Sequence, residues 1–306
     1  MYLTGFADEA APDIEGQIRA TKELGWKTIE ARSVSGANVH DISDEAFEEV
    51  VGKLRDAGVE INCFGSAIAN WGKSIADPFD VTLEEVGRAI PRMQRLGTRL
   101  VRIMSYAVLP DREPTDVPVR GDQMEEERFR RLRVLHRMFT EAGLTPVHEN
   151  CMNYGGMGWK YTLELVENVP GLKLVFDTAN PPCTLDYASG SPEKLQSTWE
   201  FYEHVKQHVA YVHIKDCRFL EFTTGIFNKA EFTWPGEGDG DVVRIVRDLV
   251  AGGYDGGISM EPHLSVVFHE AGGQTEADVR MRTYVQYGKR FEKILADCGV
   301  DPAKAR

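Results

Sequence analysis

Apolar residues recur along this chain in two alternating rhythms. Short runs rich in strand-formers, such as Tyr2-Leu3-Thr4-Gly5-Phe6 and Val59-Glu60-Ile61-Asn62-Cys63-Phe64, give way to longer stretches in which apolar positions return every third or fourth residue. Ile14, Ile18, Thr21 and Leu24 form one helical stripe, with Asp13 as a fitting N-cap and Gly25 as the stop. Phe47, Val50, Val51 and Leu54 repeat the pattern between about 44 and 57, and Gly58 ends it. The same reading predicts helices near 82–96, 122–142, 159–168, 191–207, 240–252 and 275–297. It predicts strands at 2–7, 26–32, 59–65, 99–105, 145–150, 172–180, 209–216 and 257–263. The phrase of helix, glycine and short apolar strand returns at Gly25, Gly58, Gly97, Gly143 and Gly252-Gly253. Repeated βα units of this number predict an α/β protein, a single (β/α)8 TIM barrel over residues 1–306. The alternative is a doubly wound open sheet. No glycine-rich nucleotide loop follows the first strand, which favours the closed barrel.

Composition agrees with one large domain: 306 residues, 42% of them hydrophobic. The formal net charge of −13 disfavours a nucleic-acid binder, because phosphate contact needs a basic footprint. Cys63, Cys151, Cys183, Cys217 and Cys298 form no CxxC pair and no regular framework, which reads as reduced thiols in the cytoplasm. The first residues enter a strand at once and do not resemble a signal peptide. No run approaches the ~20 apolar residues of a membrane span. The expected setting is cytoplasmic, without membrane or nucleic-acid partners and compatible with a homo-oligomer.

The candidate chemistry lies at four successive strand ends. Thr145-Pro-Val-His-Glu-Asn150, Leu172-Lys-Leu-Val-Phe-Asp-Thr-Ala-Asn180, Val209-Ala-Tyr-Val-His-Ile-Lys-Asp216 and Gly257-Ile-Ser-Met-Glu-Pro-His263 each lead through apolar residues to a ligand-type side chain: Glu149, Asp177, His213 and Glu261. A single strand-end carboxylate is more often a helix cap or a salt-bridge partner. Four in consecutive βα units are hard to assign separately to caps. Parallel barrel strands bring such ends together at one face, and three carboxylates with an imidazole suit a hard or borderline divalent ion. The expected cofactor is a divalent metal, with Mn²⁺ favoured and Mg²⁺, Co²⁺ and Zn²⁺ as alternatives. Two long connections, 106–121 and 217–238, follow strands on that same side.

These phrases resemble the xylose isomerase-like barrel superfamily, nearest to its ketose 3-epimerase, inosose dehydratase and hydroxypyruvate isomerase branches. The likeness runs through Glu149-Asn150, Asp177-Thr-Ala-Asn180, His213-Ile-Lys-Asp216, Gly236-Glu-Gly-Asp-Gly240, Gly253-Tyr-Asp-Gly-Gly257 and Met260-Glu261. It implies that Glu149, Asp177, His213 and Glu261 hold the metal, and that Glu149 and Glu261 double as acid and base. It implies an isomerase or epimerase of a keto sugar or polyol, working through a metal-bound enediolate. The chemistry is coherent: a divalent ion stabilises the oxyanion that forms as a proton leaves the carbon beside a carbonyl, and two carboxylates can remove and return that proton.

The chain departs from the commoner pattern in two places. Asn180 and Cys151 stand where many relatives carry histidines. Asn180 can hydrogen-bond a sugar hydroxyl but cannot titrate. A lyase or dehydratase acting on keto-inositols or 3-keto-glycosides therefore remains the alternative; it shares the enediolate and expels a neighbouring group. A DNA-repair nuclease is disfavoured by the charge, and a barrel that binds a sugar without turnover is the remaining contrast. Substrate contacts are expected from Asn180, Lys215, Arg218 and His263. Strand alternation turns His148 away from the pore, which favours a packed core histidine. Trp71, Trp159 and Trp234 are candidates for one aromatic wall, with core packing the common fate of any single tryptophan.

Overall fold

A computed structural model describes the chain over residues 1–109, 122–191, 193–265 and 277–305. In chain order the elements are β1 (Tyr2–Gly5), α1 (Ile14–Glu23), β2 (Thr28–Ala31), β3 (Ser33–Val34), β4 (Ala37–Asn38), α2 (Asp44–Ala57), β5 (Glu60–Phe64), α3 (Phe79–Leu96), β6 (Leu100–Ile103), α4 (Glu125–Glu141) and β7 (Thr145–Glu149). They continue with α5 (Trp159–Asn168), β8 (Lys173–Asp177), α6 (Thr198–Val205), β9 (Val209–Ile214), β10 (Cys217–Glu221), β11 (Lys229–Phe232), α7 (Val242–Ala251), β12 (Gly257–Met260) and α8 (Ala277–Asp297).

The helix ends form where side-chain chemistry places them. Asp13 accepts the Gly16 N–H at 2.8 Å and opens α1. Gly58 and Gly97 close α2 and α3 in the left-handed region, at φ 66° and 74°, which a residue with a Cβ adopts only at a cost. The eight strands at the predicted positions pair in the order β1-β12-β9-β8-β7-β6-β5-β2, all parallel. A parallel bridge from Phe6 to Glu30 brings the two ends of the sheet together. The result is a nearly closed (β/α)8 TIM barrel.

Two layers of apolar packing hold it. One large cluster, including Ile18, Leu54, Met93, Leu135, Phe176, Tyr202, Val246 and Phe291, fills the space where the helices cover the sheet. A smaller one, Cys63, Val147, Val175 and Tyr211, lies inside the barrel. Val147, Val175 and Tyr211 each stand two residues before Glu149, Asp177 and His213, so period-two alternation stacks the site directly on this plug.

Some boundaries differ from the sequence reading. The helix expected over 191–207 is shortened to α6. Gln196 donates its amide to the carbonyls of Gly156 and Leu185, both at 2.9 Å, and an antiparallel bridge joins Leu185 to Leu195, so the preceding segment is tied down as loop. Ser197 then caps α6 through the Glu200 N–H. The connection at 217–238 contains an antiparallel hairpin, β10 and β11, whose Phe219 and Phe232 pack on Ala179, Cys183 and Cys217. Residues 110–121 of the first long connection, and the expected start of the last helix at 275–276, lie outside the described residues. Among the described residues no helix is long and apolar enough to cross a membrane.

Two of the buried histidines, His40 and His148, set an acid limit on stability. Burial holds His148 down at about 4, against the opposing pull of Glu149; its Nε2 lies 3.0 Å from the Ser105 hydroxyl. Burial also holds His40 at about 4, aided by Lys73, Arg88 and Arg92 and opposed by Asp41. A folded-state value below the unfolded 6.5 means the unfolded chain binds more protons between the two. The contribution of these two histidines should therefore be intact above pH 6.5 and fall progressively toward pH 4, by roughly 3 kcal/mol for each. His213 shifts the other way, and its contribution is already complete below pH 6.5, so it leaves this acid limb unchanged. Urea midpoints measured from pH 7.5 to 4 check the expectation. A flat wild-type profile, or an acid limb that persists unchanged after His40→Asn and His148→Asn, would contradict it.

Candidate active site

The four strand ends converge. One ligand atom each from Glu149, Asp177, His213 and Glu261 lies within 4.8 Å of all the others, and all four residues are buried. Glu149 and Asp177 close β7 and β8, His213 is the penultimate residue of β9, and Glu261 follows β12. Local contacts fix their backbones. Asn150 donates to the Asp177 carbonyl at 3.0 Å and accepts the Asp177 N–H at 2.7 Å, so β7 and β8 end in register. Asp177 Oδ1 accepts the N–H groups of Ala179 and Asn180 at 2.8 and 3.0 Å, which leaves Oδ2 turned to the cluster.

Cations surround the carboxylates. Arg102 Nη1 lies 3.1 Å from Glu149 Oε2. Lys215 Nζ sits between Asp177 Oδ2 and Glu261 Oε2 at 3.0 and 3.1 Å. Arg32 reaches Glu261 Oε1 at 2.6 Å and is itself held by Asp8 and Glu9. Burial pushes the Glu149 carboxyl up, yet Arg102 and His213 hold it down at about 2. Glu261, also opposed by burial, is held well below the usual carboxylate range by Lys215, His263 and Arg32. Asp177 is raised, because burial and its two glutamate neighbours outweigh Lys215. Burial works against a charged His213, but Glu30 and Glu149 hold its pKa up at about 10.

The donor set fits a divalent cation. Glu149 Oε2 and Asp177 Oδ2 are within ion-pair distance of a cation but carry no well-aligned hydrogen bond, so lone pairs remain directed at the cluster. Three carboxylates and one imidazole are the hard-to-borderline mixture expected of Mn²⁺, Mg²⁺, Co²⁺ or Zn²⁺.

Beside the cluster lies a cavity of about 140 Å³. Glu149, Glu261, Lys215, Asn180 and His263 line it, with Arg32 and Arg102. Trp71, Met104, Met152 and Phe227 give it an apolar side. Asn180 Nδ2 and Asn38 Oδ1 are buried there without a hydrogen-bond partner. Glu9 binds His263 twice, through its N–H at 2.7 Å and Nδ1 at 3.0 Å, and so secures a non-glycine residue at φ 53°.

The expected substrate contacts divide. Asn180, Lys215 and His263 reach the cavity. Arg218 does not line it: this residue lies exposed on β10, with its guanidinium on the Glu237 carbonyl. Asp216, between Lys215 and Arg218, instead organises the glycine loop by accepting the N–H groups of Gly236, Gly238 and Gly240. A Cβ at Gly238 would come within 2.4 Å of Asp216 Oδ1 and 2.5 Å of the Cys217 carbonyl, which explains the glycine there. Of the tryptophans, Trp71 lines the cavity and is 38% exposed, whereas Trp159 stacks on His204 and Trp234 packs on Tyr287.

A family model described as "Xylose isomerase-like TIM barrel" matches residues 18–283. The chain belongs to this family. No curated protein matches it in sequence. Among solved structures it is similar to a xylose isomerase-like TIM-barrel protein from Mycobacterium smegmatis in complex with magnesium, with TM-score 0.67, 16% identity, and 98% of this chain and 97% of that one covered. It is similar to an L-ribulose 3-epimerase, with TM-score 0.66, 16% identity and coverage of 98% and 95%. It is also similar to a probable 3-DHS dehydratase from Bacillus anthracis, with TM-score 0.61, 16% identity and coverage of 92% and 97%. At this identity the likeness is one of fold.

Within this xylose isomerase-like barrel, several site residues escape a reading of strand ends. Arg102 lies in the middle of β6, Glu30 inside β2, and Arg32 just past β2. The available signal is a charged residue inside a short, otherwise apolar strand, where the barrel offers its side chain no water.

Proposed function

We propose that the protein is a divalent-metal-dependent sugar isomerase or epimerase, acting on a keto sugar or polyol by proton transfer at the carbon beside a carbonyl. The observation that carries this reading is the convergence of Glu149, Asp177, His213 and Glu261 within 4.8 Å, at the wall of a cavity that both glutamates also line. The four side chains would hold the ion, with Mn²⁺ favoured. When bound, it would polarise a carbonyl and its neighbouring hydroxyl.

The remaining work falls to the chain itself. Glu149 and Glu261 come from β7 and the end of β12, with β8 and β9 between them in the sheet, so they face a ligand from two sides. Held ionised by Arg102 and by Lys215, His263 and Arg32, both are ready to accept a proton. Asn180 and Asn38 offer a neutral donor and acceptor to sugar hydroxyls. Trp71 offers an apolar face to a ring. Plugged below by Tyr211, Val175 and Val147, the barrel keeps bulk water from reaching the acid/base pair from beneath.

A second reading, a lyase or dehydratase on keto-inositols or 3-keto-glycosides, shares the first proton transfer. It is favoured by the two cations beside Glu261, the buried Lys215 and the partly buried Arg32, which could hold an oxygen that departs with its electron pair. One experiment tests both readings. Metal-loaded protein is incubated in deuterated water with a panel of keto sugars, keto-inositols and 3-keto-glycosides. We expect deuterium to enter beside the carbonyl. A product of unchanged chemical composition supports the isomerase, and one lighter by water or an aglycone supports the lyase. Absence of exchange and product across the panel, together with cleavage of abasic DNA, would overturn both.

A further inference from the structure

Glu30 is a fully buried carboxylate for which the proposed chemistry has no direct use. It projects from β2, across the barrel from His213. Its Oε1 and Oε2 lie 3.2 and 3.1 Å from His213 Nε2. The opposite ring nitrogen, Nδ1, faces the cluster, 3.4 Å from Glu149 Oε1 and 3.9 Å from Asp177 Oδ2. The imidazole is also confined by two aromatic rings, Phe6 at 5.1 Å and Tyr211 at 5.7 Å between centroids, both edge-on. An ionised carboxylate is costly to bury unless it is well paired. The cationic groups Arg32, Arg102 and Lys215 make their close ion pairs with other carboxylates, and His213 is the basic partner given to Glu30.

We propose that Glu30 is the positioning residue of the centre: it accepts the Nε2 proton of His213 and thereby makes Nδ1 the metal-binding nitrogen. The inference rests on the metal reading above and adds a residue, a tautomer and a ligand atom to it. Its physical basis is general. A metal-bound imidazole needs its second N–H fixed by an acceptor, and loss of such a partner typically costs about 10- to 100-fold in metal affinity. The side chain acts through His213 and does not itself enter the cavity; it is absent from the cavity lining.

The test uses the full chain and Zn²⁺, which is diamagnetic and suits NMR. In ¹⁵N-histidine-labelled wild-type protein loaded with Zn²⁺, His213 should show a protonated Nε2 and a metal-shifted Nδ1. The Glu30→Met variant, which keeps the side-chain length and removes the acceptor, should bind Zn²⁺ about 10- to 100-fold more weakly by calorimetry. Glu30→Gln keeps an acceptor oxygen and should recover most of that loss, a rescue that a merely space-filling role would not give. A Zn-bound Nε2 in the wild-type protein would overturn the proposal without any variant, which covers the case in which Glu30→Met fails to fold. Unchanged Zn²⁺ affinity in folded Glu30→Met would overturn it while leaving the metal reading standing. A wild-type protein that binds no Zn²⁺, Mn²⁺ or Mg²⁺ would sink the metal reading and this inference with it.

Discussion

Asp177→Asn is expected to abolish divalent-ion binding while leaving the barrel folded. The argument turns on which oxygen does what. Oδ1 is already committed to the N–H groups of Ala179 and Asn180, so in the variant the amide oxygen should take that place. The amide nitrogen must then point where Oδ2 now points, into the cluster. An NH₂ group has no lone pair to offer a cation, and it faces the Lys215 ammonium, now 3.0 Å from Oδ2. The centre would lose a ligand, a negative charge and room at once. Affinity for Mn²⁺ should fall by more than the roughly 100-fold upper range of an outer-shell change. The fold should persist, because Lys215 keeps Glu261 and the apolar plug of Cys63, Val147, Val175 and Tyr211 is untouched. Calorimetric titration with Mn²⁺ and a thermal melt of the metal-free protein read the two halves separately. Wild-type affinity in the variant would remove Asp177 from the ligand set, and collapse of the melt would make it a structural residue instead.

The cage is legible in the sequence for a specific reason. Glu149, Asp177, His213 and Glu261 each terminate an apolar run, so a one-dimensional pattern already marks them as the last inward side chains of consecutive strands. Their electrostatic partners are hidden from the same pattern. Glu30 and Arg102 sit within short strands, where a charged residue reads as the solvent-facing half of an alternation. That they point inward depends on pairings such as Glu30 with His213, 183 residues apart. Arg218 shows the converse. It follows His213 closely enough to suggest a substrate contact, but β10 carries it away from the cavity, and it is Asp216 that ties this turn to the glycine loop. The hairpin is hidden because Thr223, Thr224 and Gly225 read as loop, and the apolar residues on either side find their partners in the segment after β8. Helix ends are marked locally: Asp13 and Gly58 act through hydrogen bonds and dihedrals within a few residues.

Glutamine at either Glu149 or Glu261 should separate metal binding from proton transfer. An amide oxygen can still coordinate, so each single variant should retain part of the wild-type metal affinity. An amide cannot accept a proton at neutral pH, so exchange of the substrate's α-proton with solvent should fall by about 10²- to 10⁴-fold. The environment sharpens the expectation. Each carboxylate now faces at least one buried cation, Arg102 for Glu149 and Lys215 for Glu261, which also meets the partly buried Arg32. Glutamine at 261 must turn its NH₂ toward one of those cations, so Glu261→Gln should lose more metal affinity than Glu149→Gln. If the two glutamates serve opposite faces of the reacting carbon, the single variants will also differ in stereochemistry: each should block deuterium uptake from one epimer more than from the other. If a single glutamate removes the proton and the cations beside Glu261 assist departure of an oxygen, only one variant should stop exchange, and the other should stall after it. Exchange rates measured from both epimers in deuterated water, beside metal affinities from calorimetry, distinguish these outcomes. Near-normal exchange in the Glu149→Gln, Glu261→Gln double variant would refute the acid/base assignment, and the proton acceptor would then have to be sought elsewhere in the cavity wall.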